Sequence, residues 1–211
     1  MTTKSIMPTS FDASSYYHQN FQEHQMIAAA TQQALQENFL TLVTLCRQSL
    51  SQGGKIIFFG NGGSAADAQH LATELTVRFI EDRKPMAALA LTTDTSALTA
   101  IGNDFGFEHL FARQIDALGK PGDVAIGIST SGKSANVLKA FEMAHLKGLQ
   151  TVAFTGQAGI MSTVDVLSQP VSLVLSVPSY TTSRIQEMHI TIGQMLCGAL
   201  ENALGLVPQN L

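Results

Sequence analysis

Short apolar runs alternating with helix-like segments constrain this chain more than any other feature. The candidate strands are Lys55–Phe59, Ala87–Thr92, Asp123–Ile128, Thr151–Phe154 and Leu173–Val177. Between them lie candidate helices Ser64–Ile80, Ser96–Ile101, Glu108–Leu118 and Ser134–Lys147, and a last helix runs from about Ser183 to Leu204. Most of the strand runs are almost continuously apolar, the pattern of strands covered on both faces. Repeated βα units of this kind predict an α/β fold with a parallel, doubly wound sheet. Ahead of them, apolar residues from Ile27 to Cys46 recur at helical spacing. Residues 17–52 therefore read as an extra N-terminal helix ended by Gly53-Gly54, residues 1–16 as a flexible polar tail, and residues 53–211 as the α/β domain.

Two of the strands end in unusual turns. Gly60-Asn61-Gly62-Gly63-Ser64 follows the first, and Ser129-Thr130-Ser131-Gly132-Lys133-Ser134 follows the third. Strand, tight turn and helix in that order expose backbone N–H groups and hydroxyls beside a helix N-terminus, which suits an anion. One such turn is most simply a connection. In the second, Ser129, Thr130, Ser131 and Ser134 crowd around Gly132, and capping a helix needs only one hydroxyl. Neutral hydroxyls at a helix start suit a phosphate monoester that must also leave. Residues 127–134 also match G-x-x-x-x-G-K-S, the phosphate loop of nucleotide hydrolases. That match is set aside: Gly127 lies inside an apolar run, and no later strand ends in an acidic residue placed for magnesium. No nucleotide is expected.

Composition narrows the setting. The formal net charge of −4 argues against direct nucleic-acid binding or a membrane surface. The start lacks an apolar signal region, no apolar run is long enough to span a bilayer, and the two cysteines form no motif. A cytoplasmic protein is expected. Charged residues make up only 13% of the chain, which hints at surface hidden in an oligomer.

Further candidates sit on helices. His70 and Glu74 are four apart on the Ser64–Ile80 segment, and Arg78 extends the same stripe. Such a face can supply acid–base chemistry and substrate charge binding, can hold a divalent metal, or can be a solvated, salt-bridged surface. In the last helix, Gln186 and His189 are three apart. Asn103-Asp104-Phe105-Gly106 reads as a turn between helices, with Asp104 either holding sugar hydroxyls or capping the helix at Glu108. His18, His24, His109 and His145 show no partner and read as surface or packing residues.

In their order and spacing these segments resemble the sugar-isomerase (SIS) domain family, and within it the bacterial phosphoheptose isomerases. The resemblance runs from about residue 21 to residue 205. Its markers are residues 60–70, Glu74 through Phe79, residues 91–94, 103–106 and 129–134, and Arg184-Ile185-Gln186-Glu187-Met188-His189. It implies a five-stranded parallel sheet in an αβα sandwich and a homotetramer packed around a helical bundle that includes residues 17–52, with active sites between subunits. It also implies conversion of sedoheptulose 7-phosphate to D-glycero-D-manno-heptose 7-phosphate, for lipopolysaccharide heptose precursors. Ser129, Thr130, Ser131 and Ser134 match phosphate contacts, and Ser64 matches another substrate contact. Asn61, Gly62, Gly63, Arg78, Asn103, Asp104 and Gln186 join them as expected substrate-binding residues. Glu74 matches the general base of an enediol mechanism. His70, Glu74 and Gln186 match ligands of a zinc ion, one per subunit, seen in some members.

The chain departs from the family at residue 194. A catalytic, metal-binding His is expected eight residues after Gln186, and Gln194 stands there. An amide cannot donate and recover a proton near neutral pH, although its carbonyl can coordinate a metal or polarise an oxygen. His189 or a metal-bound water would then carry the proton, or the protein would bind a phosphosugar with little or no turnover. The last possibility matches a related non-catalytic SIS tetramer that binds the replication initiator protein. Glu74 and the complete Ser129–Ser134 loop point back to the enzyme.

Overall fold

The long first helix begins with a cap. Asp12 accepts hydrogen bonds from the N–H groups of Ser14 and Ser15 at 3.0 and 3.1 Å, and α1 (Ala13–Ser51) follows. The computed structural model describes residues 11–159 and 171–208. The helix therefore starts ahead of Tyr17, because the apolar repeat marks only where α1 meets the body of the protein. Most of the expected tail, residues 1–10, lies outside the described residues.

After α1 come β1 (Ile56–Gly60), α2 (Gly63–Thr76), β2 (Ala88–Ala90) and α3 (Thr95–Asp104). A short 3₁₀ turn (Phe107–His109) leads into α4 (Leu110–Leu118), β3 (Val124–Ser129), α5 (Ala135–Leu146), β4 (Gln150–Gly156), β5 (Leu173–Val177) and α6 (Thr182–Ala203). Among the described residues the strands form a five-stranded sheet, all parallel, in the order β2-β1-β3-β4-β5. Leu35 and Leu42 of α1, Leu71 and Leu75 of α2, and Met188 and Leu196 of α6 cover one face. Phe111 and Ile115 of α4 and Val137 and Phe141 of α5 cover the other. This is the expected αβα sandwich. No helix among the described residues is long and apolar enough to cross a membrane.

Two boundaries differ from expectation for physical reasons. The second strand shrinks to Ala88–Ala90, since an edge strand has one neighbour to pair with. The second helix ends at Thr76 rather than Ile80, and its C-cap Val77 has φ −103° and ψ −82°. Arg83 donates to the carbonyls of Glu74 and Leu75 at 2.7 Å each, taking acceptors that a longer helix would use. Arg78 consequently leaves the His70–Glu74 stripe and is exposed on the following segment.

The end of the sheet opposite the turns is held by one carboxylate. Asp123, 1% exposed, accepts from the Lys55 N–H at 2.9 Å, the Lys55 Nζ at 2.5 Å and the Lys120 N–H at 2.8 Å. It ties the start of β1 to the start of β3. Asp123→Ala strands those donors, and chemical denaturation is expected to show a loss of about 3 kcal/mol.

Candidate active site

In this strand order the chain leaves β1 in one direction to form β2, and β3 lies on the other side of β1. The crevice between β1 and β3 is the topological switch point, where ligands of open α/β sheets bind. The register pairs Phe59 with Gly127 and Gly60 with Ile128, so the two turns emerge side by side. Gly127 lies within β3 because a Cβ there would meet Phe141 and Phe59 at 2.5 and 2.8 Å. It is a packing glycine, which explains why the phosphate-loop match has the wrong local structure.

The two turns and the start of α6 enclose a pocket of about 270 Å³, lined by Asn61, Ser64, Ile128, Ser129, Thr130, Ser131, Ser134, Thr182 and Gln186. Three helix N-termini meet there. Gly62, at φ +58°, precedes α2; Ser134 is the N-cap of α5; Thr181 is the N-cap of α6. None of these three caps donates or accepts through its side chain at its own helix. The Ser134 hydroxyl instead meets the Ser129 hydroxyl at 3.0 Å. Gly132, at φ +64°, folds the loop so that its N–H donates to the Ser129 carbonyl, while Lys133 N–H donates to the Ser131 hydroxyl. Hydroxyls facing a cavity at converging positive helix ends fit an anion bearing several oxygens.

Two lining features escape sequence reasoning. Asn61 and Asn136 exchange amide hydrogen bonds, 2.9 Å each way, and so lock the first turn to α5. Asn136 is buried, and its role exists only in the folded pairing. Thr182 joins the pocket from the far end of the sheet; its position at the start of the last helix was the available signal. Gly63 lets the Gln186 amide pack close to the backbone, since a Cβ there would meet that amide at 2.5 Å and push it aside.

A second group lies farther along α2. His70 Nε2 is 3.0 Å from Glu74 Oε1 and 3.3 Å from the Gln194 amide nitrogen. The Glu74 side chain is 22% exposed and that of His70 is 46% exposed. Burial raises the carboxyl of nearby Asp67 above the usual range, with His70 pulling the other way, and Asp67 Oδ2 is buried with no hydrogen-bond partner. Helices α2 and α6 run parallel: Gln186 sits over Gly63, Gly193 against Leu71, and Gln194 against His70. The pocket and the His70–Glu74–Gln194 group are thus two stations on one seam.

Other expected site residues fall elsewhere. Asn103 donates to the Asp104 carboxylate at 2.7 Å at the exposed end of α3, and Asp104 does not cap the next helix. Neither they nor Arg78 line the hydroxyl pocket of this chain. His189 is corrected outright as a proton carrier. It has no exposed surface, packs against the Phe154 ring and meets the Thr155 carbonyl at 3.2 Å. Three residues from Gln186 on a helix, it faces the sheet instead of the seam. Gln186 itself belongs to the hydroxyl pocket. His24 proves to have a partner after all, Glu187 at 2.8 Å, in a cluster where Arg184 also meets Glu187 and Glu23 and joins α1 to the start of α6.

Zinc sites in proteins draw mostly on His, Cys, Asp and Glu. Among the described residues no group of three such side chains could hold a metal. His70 and Glu74 are joined by the neutral amide of Gln194, with the Asp67 carboxyl nearby.

Burial pushes the His189 imidazole down to about 4, against the opposing pull of the Thr155 carbonyl. The neutral ring is native, and an unfolded ring titrates near 6.5. Below that pH the unfolded chain binds the extra proton, so stability falls as pH drops from about 6.5 to about 4, by up to about 3 kcal/mol. Denaturant melts at pH 7 and 4.5 are expected to show this loss, and His189→Gln is expected to flatten the slope.

Comparison with known proteins agrees with the geometry. Residues 19–156 match the SIS domain family. A phosphoheptose isomerase of Paramagnetospirillum magneticum is 55% identical over 186 residues, 88% of this chain and 94% of that protein. One from Aquifex aeolicus is 48% identical over 181 residues, 86% and 92% of the two chains. The solved phosphoheptose isomerase of Neisseria gonorrhoeae superposes with a TM-score of 0.83 at 42% identity, covering 90% of this chain and all of that one. That of Francisella tularensis gives 0.86 at 33% identity, with 91% and 100% covered. The chain therefore belongs to the SIS domain family, and within it to the phosphoheptose isomerases.

Proposed function

We propose that this protein is the aldose–ketose isomerase that converts sedoheptulose 7-phosphate into D-glycero-D-manno-heptose 7-phosphate, feeding lipopolysaccharide heptose synthesis. The observation that carries the reading is the seam between α2 and α6, with an anion pocket at its head and a His–carboxylate pair farther along it. The phosphate takes the hydroxyls of Ser129, Thr130, Ser131 and Ser134, with Ser64, Asn61 and Gln186 beside it. Gly62 and Gly63 let the backbone approach. The carbon chain then runs toward Glu74.

Isomerisation moves one proton between adjacent carbons and one between their oxygens. Glu74 takes the proton from carbon 1, leaving an enediol, and returns it to carbon 2. His70, in hydrogen-bond contact with Glu74, carries the proton that leaves the carbon 1 hydroxyl and protonates the oxygen on carbon 2. The Gln194 amide holds His70 and polarises the substrate oxygen. These steps use only the side chains of Glu74, His70 and Gln194. Close isomerase relatives favour this reading over a non-catalytic tetramer binding the replication initiator.

The finer setting is part of the same proposal. A homotetramer would use the groove of about 600 Å³ between α1 and α6, lined by Leu35, Phe39, Met188, Ile192 and the exposed Met195. In it, Arg78, Asn103 and Asp104 would serve a site between subunits. Cys46 and Cys197 are buried and unpaired, which fits the reducing cytoplasm.

Steady-state isomerisation assays test the roles. Glu74→Gln is expected to lower kcat about a thousandfold with KM nearly unchanged. A Glu74→Gln enzyme that turns over normally overturns the mechanism. Ser134→Ala is expected to raise KM about tenfold while kcat holds, the loss of one hydrogen bond to a charged oxygen. Gln194→His supplies the third donor, and chelator competition is expected to show zinc affinity at least about tenfold above that of the natural protein.

A further inference from the structure

We infer that Arg83 and Glu201 are positioning residues for the reaction, setting the place of Glu74 from the far end of the α2–α6 seam. The inference rests on the reading of Glu74 as the base. The Arg83 guanidinium has no exposed surface, and its Nε donates to Glu201 Oε1 at 2.8 Å. Its two terminal nitrogens donate to the Leu75 and Glu74 carbonyls at 2.7 Å. The hydrogen bond to Glu74 is made to the backbone of the residue whose side chain meets His70. Glu201 Oε1 also accepts from the Phe79 N–H at 3.1 Å.

These contacts do more than end a helix. Glu201 stands seven residues after Gln194 on α6, two turns along the same face and about 10 Å away. The carboxylate that captures Arg83 and the amide that meets His70 are therefore on one rigid element. Between them and the pocket, Gly193 lets Leu71 approach closely, since any Cβ there would meet Leu71 at 2.5 Å. Apolar contact of this kind resists separation but is non-directional. The forked guanidinium, bound to α2 carbonyls and an α6 carboxylate at once, is directional and resists sliding. Among the described residues, Arg83 is the only side chain that hydrogen-bonds the backbone of Glu74.

The test is steady-state kinetics of Arg83→Lys and Glu201→Gln beside Glu74→Gln. It is run well below each variant's melting temperature, with Asp123→Asn as a control destabilised at the opposite end of the sheet. Lysine keeps the charge but cannot bind two carbonyls and Glu201 together. The expected result is a kcat lowered at least about tenfold in both seam variants with KM within about threefold, while Asp123→Asn keeps its kcat. A crystal structure of Arg83→Lys is expected to show the His70–Gln194 contact lengthened. If Arg83→Lys does not fold, Glu201→Gln carries the same test. A kcat within twofold of the natural enzyme, or a loss borne by KM, overturns the positioning role when Glu74→Gln is inactive. An active Glu74→Gln enzyme overturns the base assignment instead, whatever the seam variants do.

Discussion

The pairing of β1 with β3 is the constraint on which the site depends. Both strands are buried along their whole length, so a slip of one residue would turn every side chain toward the wrong layer of helices. The packing of Phe59 against Phe141, ring centroids 5.6 Å apart, closes over Gly127 and leaves no room for another register. With that register set, the turns after Gly60 and Ser129 must stand next to one another. The Asn61–Asn136 exchange then fixes their separation. An anion pocket follows from strand packing before any residue touches a ligand.

A second consequence comes from direction. In a parallel sheet, every helix that follows a strand starts at the same edge, so α2, α5 and α6 all begin near the pocket. Their N-terminal dipoles add there, which lets neutral hydroxyls do work otherwise left to lysines or arginines. The same direction makes α2 and α6 parallel neighbours. Side chains at matching depths therefore meet, as Gln194 and His70 do. Acid–base groups can be placed at a chosen distance from the phosphate by counting helical turns.

Much of this was legible in the sequence because it is local. Continuous apolar runs announce buried parallel strands, and turns rich in glycine and hydroxyls announce helix starts at their ends. What could not be read was decided by distant partners. The helical pattern from Ser64 continues to Ile80 on paper, yet Arg83 and Glu201 stop the helix at Thr76 and take Arg78 off the stripe. A histidine in an apolar helix invites a chemical role, but its depth behind β4 makes His189 part of the core. Asn136 and Thr182 have no meaning until the sheet closes, since their partners are 75 residues away or across the pocket.

The amide at position 194 makes sense in terms of hydrogen-bond accounting. His70 Nε2 has a carboxylate on one side and Gln194 on the other. A bare Nε2 takes a hydrogen from the Gln194 amide, whereas an Nε2–H gives its one hydrogen to Glu74 and tolerates only the amide carbonyl beside it. Glutamine carries both ends on one side chain and meets either need by a half-turn. Histidine there would change protonation itself and compete with His70 for the same carboxylate. On the proposed mechanism, in which one imidazole moves the protons, a glutamine beside it orients the ring without exchanging protons itself.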